Sequence, residues 1–303
     1  MKDDKRLSYS SWSQLETCEM AYAHRKVFKT KVDNEEEDRT AFDVGSATHQ
    51  CMEDTQWGIL PVTVDVVTKA CKQYPDSIPH KGLVHAMALN LVEQQQMSFL
   101  KCVKAEFHIE SEDYIGFIDL VAKRRTGHWY MVDLKTASAK PNDGIIAGLP
   151  MDRQLNLYSG YYKEVASVLG LDPKLYMGII YRVAVKSKAQ QKIKESYEAY
   201  VKRLTKVIKV YDVVVPLESL SLEETRKNFL ESYKRSLEIR EGMAPSRNLG
   251  ACFNYFRFCP YYSQCHGKTG EELKGIVKIK LILNIKKRWN LYWEDYESYR
   301  CNV

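Results

Sequence analysis

The chain has 303 residues, 45% of them hydrophobic, enough for one large domain or a core with helical additions. No apolar run reaches the ~18 residues of a membrane span, and the opening Met1-Lys-Asp-Asp-Lys-Arg6 lacks the apolar segment of a secretory signal. A cytoplasmic protein without a membrane partner is expected, and a net charge of +6 is compatible with a phosphate-bearing one.

Ser8 to Val27 reads as a helix, with Ser10 or Ser11 as candidate N-cap and Leu15, Cys18 and Tyr22 on one stripe. Cys18 is either a small buried hydrophobe or a ligand. Residues 31–39 form a charged connection. Thr40 to Trp57 is a second helix, in which Gly45, His49 and Glu53 share a face. A Pro-punctuated helical stretch at 61–81 precedes a long helix from Gly82 to Lys101. Val103, Ala105, Phe107 and Ile109 alternate as a strand. Glu106, on the other parity, is expected to face solvent, with a place near a second metal position as the alternative.

Gly116 to Thr136 reads as two adjacent strands around a Thr126-Gly127 turn. Asp119 lies inside the first strand, and Asp133 and Lys135 leave the second on one face. Aspartates in apolar strands are costly unless compensated. Two carboxylates beside a lysine suit a hard divalent cation and an anion. A loop at 138–150 leads to a helix from Met151 to Leu169 that puts Gln154 and Tyr158 on one face.

Leu175 to Val183 and Val210 to Val215 are further strands. Between them, 186–209 reads as a helix with seven lysines and one arginine, a solvated face or a DNA-backbone contact. Ser221 to Glu241 is a helix with Ser221 and Glu224 spaced as a capping box. Cys252, Cys259 and Cys265 crowd together, which favours a metal over a disulfide framework. Cys18 or His266 supplies a fourth ligand, and zinc or an iron–sulfur cluster fits. In the tail at 270–303, Lys286-Lys287-Arg288-Trp289, Trp293 and Tyr296 pack on the domain or stack on bases.

Gly116-x-x-Asp119, Asp133-x-Lys135 and Gln154-x-x-x-Tyr158, in this order, resemble the motifs of the PD-(D/E)XK nuclease superfamily. Within it the chain looks like the RecB-like branch, which includes CRISPR-associated RecB-like exonucleases and related phage enzymes. The resemblance spans roughly residues 8 to 266. It implies a restriction-endonuclease-like α/β fold, a mixed central sheet flanked by helices. Gly45-x-x-x-His49 resembles the first motif of the group, in which the histidine is a metal ligand. By resemblance, His49, Asp119 and Asp133 hold Mg²⁺ or Mn²⁺ with the backbone carbonyl of Leu134. Lys135 orients or helps deprotonate the attacking water, and Gln154 and Tyr158 position the substrate strand.

Iron–sulfur members take one cysteine ahead of the core and three after it, which implies a [4Fe–4S] cluster on Cys18, Cys252, Cys259 and Cys265, with zinc as the other occupant. The chain departs from the group in having six residues between Cys252 and Cys259 where Cys-x-x-Cys is common. The expected domains are an N-terminal segment at 1–39, a nuclease core at 40–215, a helix and cysteine cluster at 216–269, and the tail at 270–303. The expected function is a metal-dependent DNA nuclease, an exonuclease by resemblance, acting on DNA ends or single strands in processing, recombination or repair. The alternative is a catalytically silent protein that binds DNA or a recombination partner. No helicase phosphate-binding loop occurs, so a helicase partner is a separate chain.

Overall fold

Apolar alternation and short turns build the central sheet, as the computed structural model of the protein records. Residues 5–31, 39–254 and 257–267 are described. The charged connection lies almost wholly outside them, as do the tail at 270–303 and Cys301. β1 (Lys101–Glu110), β2 (Ile115–Lys123), β3 (Trp129–Ala137), β4 (Tyr176–Val185) and β5 (Val210–Pro216) form one sheet in sequence order. Only β3 and β4 run parallel. The turn between β2 and β3 closes with the Arg124 N–H on the His128 carbonyl at 2.8 Å, and Gly127 takes a φ of +89° there. A parallel pair needs a long crossover; residues 138–175 supply it.

Helices α1 (Tyr9–Thr17), α2 (Glu19–Lys26), α3 (Thr40–Asp54), α4 (Val64–Gln73) and α5 (Lys81–Met97) precede the sheet. The crossover holds α6 (Asp143–Gly148), α7 (Arg153–Gly160) and α8 (Tyr162–Leu169). After it come α9 (Tyr197–Val207), α10 (Leu222–Arg240), the short strands β6 (Phe253–Asn254) and β7 (Arg257–Phe258), and α11 (Tyr262–His266). Val44, Ala47 and Met52 of α3 and Val84, Met87 and Leu91 of α5 pack in one core with Leu120, Val132, Leu134 and Ile180 of the sheet. The result is the expected mixed sheet flanked by helices. No helix among the described residues is long and apolar enough to cross a membrane.

Several helix boundaries differ from the sequence reading. The expected helix at 8–27 breaks at Cys18, which is extended at φ −165° and ψ 112°. Its start is served by Ser8, whose Oγ accepts from the Ser11 N–H at 3.3 Å, not by Ser10 or Ser11. The loop at 138–150 contains α6, capped by the Asn142 side chain on the Ile145 N–H. The helix at 151–169 divides at Tyr161. The lysine-rich stretch becomes helical only at Tyr197, where the Ser196 side chain accepts from the Ala199 N–H. The Ser221 N–H donates to Asn156 Oδ1 at 2.6 Å, the acceptor role that a capping box gives to Glu224.

Arg182 on β4 is fully buried and faces Asp212 on β5. Its guanidinium donates to Asp212 at 2.7 and 2.8 Å and to Gln95 Oε1 at 2.6 Å. Removing one partner of such a pair strands the other. Asp212→Ala is expected to cost about 3–5 kcal/mol, read as a lower urea midpoint at unchanged slope.

The chain divides into two compact units, Met1–Trp12 with Glu36–Lys234, and Ser13–Glu35 with Arg235–Val303. The first holds the sheet. In the second, Arg235 clamps Glu19 through two bonds of 2.7 and 2.8 Å. Those hydrogen bonds hold the Glu19 carboxyl down at about 2, despite the burial that opposes them. The Asn248 side chain reaches the Thr17 carbonyl at 2.9 Å.

Candidate active site

The β1–β2 hairpin turns at Glu112 and Asp113, where the Ser111 N–H meets the Tyr114 carbonyl at 3.0 Å. Ala105 pairs with Leu120 and Phe107 with Ile118, so Glu106 stands opposite Asp119 and both leave one face. This corrects the expectation that Glu106 faces solvent. His49 of α3 comes down onto this pair. His49, Glu106 and Asp119 offer ligand atoms that all lie within 4.8 Å of one another. A bulge between Cys102 and Lys104 shifts the register just upstream. Glu106 itself has a φ of +43°, a strained setting for a side chain of this size. Counting outward from the turn reaches Glu106 and Asp119 at the same step, a signal that the sequence carries.

Asp119 is fixed from three sides. Its Oδ2 accepts the Leu134 N–H at 2.6 Å, its Oδ1 lies 3.3 Å from His49 Nδ1, and its backbone carbonyl accepts the Trp57 indole N–H at 3.1 Å. Trp57 was not among the expected site residues. It is buried, has a φ of +55°, and lies under the Arg182 guanidinium. No local sequence signal marks an aromatic residue in a left-handed conformation.

Asp133 is 2% exposed. One oxygen accepts from Lys135 Nζ at 3.0 Å, and the other, Oδ2, is buried without a partner. Burial pushes this carboxyl up to about 6 against the pull of Lys135. Burial alone would lower Lys135, but the charge and hydrogen bond of Asp133 more than reverse this. Burial likewise raises Glu106 to about 7, with the charges of Asp119 and Glu53 adding. For His49, burial pulls down and Asp119, with Glu106 behind it, pulls up further.

α7 brings in the remaining pair. The Asp152 side chain caps it by accepting from Gln154 and Leu155 N–H at 2.8 and 3.0 Å. Gln154 Oε1 then accepts from Lys135 Nζ at 3.0 Å, and Gln154 Nε2 donates to the Tyr158 hydroxyl at 2.9 Å. Asp133, Lys135, Gln154 and Tyr158 thus form one hydrogen-bonded line. Glu53 is exposed and bonded to Gln50.

The imidazole of His49 and the carboxylates of Glu106 and Asp119 fit a hard divalent cation, and Asp133 adds a third carboxylate, one of whose buried oxygens is orphaned. The protein environment leaves two of those carboxyls reluctant to ionise, a cost that a cation removes.

The second unit holds another candidate centre. Cys18, Cys252, Cys259 and Cys265 line one pocket together with Arg247 and His266. The pairing of β6 with β7 explains the six-residue spacing: the Cys259 N–H bonds the Cys252 carbonyl at 2.9 Å, so the antiparallel pair closes the gap. Burial raises the thiols of Cys252, Cys259 and Cys265, and their neighbouring cysteines add to it. A zinc tetrahedron with bonds of about 2.3 Å needs sulfurs about 3.8 Å apart. Among the described residues, no three of these cysteines gather their sulfurs within 4.8 Å. His266 Nε2 lies 3.5 Å from Cys252 Sγ, so both candidates for the fourth ligand are present. Cys51 and Cys71 are buried in the core of the first unit, and Cys102 packs against it.

A solved structure of an Eubacterium rectale protein named "Putative exonuclease" is similar at 15% identity, covering 81% of this chain and 85% of its own, with a TM-score of 0.47. No curated protein matches the chain. The family model described as the PD-(D/E)XK nuclease superfamily matches residues 6–266, from ahead of the sheet to the last cysteine of the cluster. With a match that runs through the carboxylates of β2 and β3 and the lysine beside them, the chain belongs to the PD-(D/E)XK nuclease superfamily.

Proposed function

We infer that the protein is a Mg²⁺- or Mn²⁺-dependent deoxyribonuclease that hydrolyses phosphodiester bonds from DNA ends, in DNA processing, recombination or repair. Asp133 is the observation that carries this reading. A buried carboxylate with an unpartnered oxygen, beside a lysine held on two acceptors, is costly in a merely structural role. His49, Asp119, Asp133 and the Leu134 carbonyl would hold the cation, with Glu106 joining them. A bound Mg²⁺ or Mn²⁺ supplies Lewis acidity, which lowers the pKa of a water and offsets charge on phosphate oxygens.

Lys135, held between Asp133 and Gln154, would orient or help deprotonate the attacking water and offset phosphate charge. Gln154 fixes Lys135 and Tyr158 fixes Gln154, which keeps the cation still beside the substrate strand. In the second unit, the four cysteines would hold a [4Fe–4S] cluster as a staple. Their order, one cysteine ahead of the core and three after it, favours this over zinc by resemblance. A helicase or recombination protein would be its partner.

The test uses end-labelled linear DNA and closed circular DNA with Mg²⁺, Mn²⁺ or chelator. Linear DNA should shorten progressively in either metal, the closed circle should survive, and chelator should stop the reaction. Equal attack on the circle would replace the exonuclease with an endonuclease. Binding without cleavage in either metal would leave a silent DNA-binding protein.

A further inference from the structure

The first turn of α3 carries a side chain that the site above does not use. Phe42 is 63% exposed. The Arg39 guanidinium lies over its ring at 5.2 Å and is steadied by Asp43 at 3.9 Å. His49 follows seven residues later, so ring and imidazole share one face about 10 Å apart along the helix. Two contacts tie this turn to the end of the strand that carries Asp133 and Lys135. Lys186 donates its N–H to the Ala137 carbonyl at 2.7 Å and its Nζ to the Ala41 carbonyl at 2.8 Å. Gly45 lets the helix close on Thr136, whose Oγ1 would stand 2.8 Å from an added Cβ. An open aromatic face and two cations therefore meet at the edge of the candidate active site.

We propose that Phe42 is a stacking platform for an unpaired base of single-stranded DNA, adjacent to the nucleotide being cut, with Arg39 and Lys186 beside the backbone. This rests on the reading of the chain as a DNA nuclease. A base inside a duplex has both faces covered by its neighbours, so a side chain can stack only on a base that has left the helix. Every base has such a face, so the platform tolerates any sequence. The neighbouring cations attract phosphates of either form of DNA, and the ring alone discriminates between them.

The experiment compares the full-length protein with Phe42→Ala and Phe42→Trp. Binding of a labelled thymidine oligonucleotide and of a blunt duplex is measured by anisotropy in Ca²⁺. Phe42→Ala should weaken the single strand about tenfold, near the low end of what one stacked base is worth, and leave the duplex unchanged. Phe42→Trp should restore it. An oligonucleotide with one abasic position under the ring should lose the same factor with wild type and nothing further with Phe42→Ala. Undiminished single-strand affinity, equal losses on both DNAs, or a changed sedimentation coefficient that reveals self-association through this face would each overturn the proposal. Cleavage of linear DNA by the same wild-type preparation keeps the two readings apart. Cutting with an indifferent Phe42→Ala removes the platform alone, and no cutting by wild type removes the nuclease.

Discussion

Asp133→Asn should abolish cleavage while the protein stays folded and still binds DNA. The substitution keeps the shape of the side chain and one acceptor for Lys135, and removes the charge at the oxygen that has no partner. Transition-state stabilisation of several kcal/mol depends on a correctly held cation, so the rate should fall at least about a thousandfold. Asp119→Asn should do the same. The substitution removes no lysine or arginine, so affinity for DNA should change little, and a melting curve on the same sample reports the fold. A wild-type rate in Asp133→Asn would remove the nuclease assignment. A pH dependence follows as well. Burial raises Asp133 to about 6 and Glu106 to about 7, so proton and cation compete for them. At sub-saturating Mg²⁺ the rate should climb as pH rises through that range, and saturating Mg²⁺ should flatten the climb.

Anaerobically purified protein should be brown and carry about four irons per chain, the content of a [4Fe–4S] cluster. Cys18→Ala and Cys259→Ala should each lose that iron and should behave alike despite their separation, because each opens the same staple. Both should become sensitive to protease within the second unit. Cys51→Ala and Cys71→Ala should keep the iron. Both thiols sit in the core of the first unit, and neither lines the cysteine pocket. Cys102→Ala should keep it too. One zinc and no iron would replace the cluster with a zinc staple, and His266→Ala would then show whether the histidine completes it. Fresh anaerobic protein with neither metal would return the four cysteines to ordinary packing.

Local signals carried most of the candidate site. Asp133 and Lys135 share a face because strands alternate, and Gln154 and Tyr158 share one because helices repeat every 3.6 residues. The structure joins all four in one line of hydrogen bonds. Glu106 escaped because parity separates two faces of a strand without saying which one another element covers. The helix break at Cys18 escaped because no Gly or Pro marks it, and the one at Tyr161 because its signal, Gly160 at the end of α7, is also tolerated inside a helix. Ser196 was a cap hidden among lysines. The six-residue gap after Cys252 looked irregular only until β6 and β7 paired across it.

The second unit is assembled from two stretches that the ribosome delivers at very different times. Glu19 and its clamp Arg235 are separated by 216 positions. At about 5–20 residues per second, that interval lasts about ten to forty seconds. Throughout it the early stretch, Cys18 included, waits without its partners while Glu36–Lys234 of the first unit is made. A sheet that folds as it is made would finish first, and the joining of the two stretches would then be a late step for the nascent chain. A chain stopped by a premature termination codon before Arg235 would keep the residues of the candidate active site and lack the clamp. Such a fragment would be recognisable to cellular proteases by its unpaired early stretch, a route by which incomplete copies of a DNA-cutting protein would be cleared.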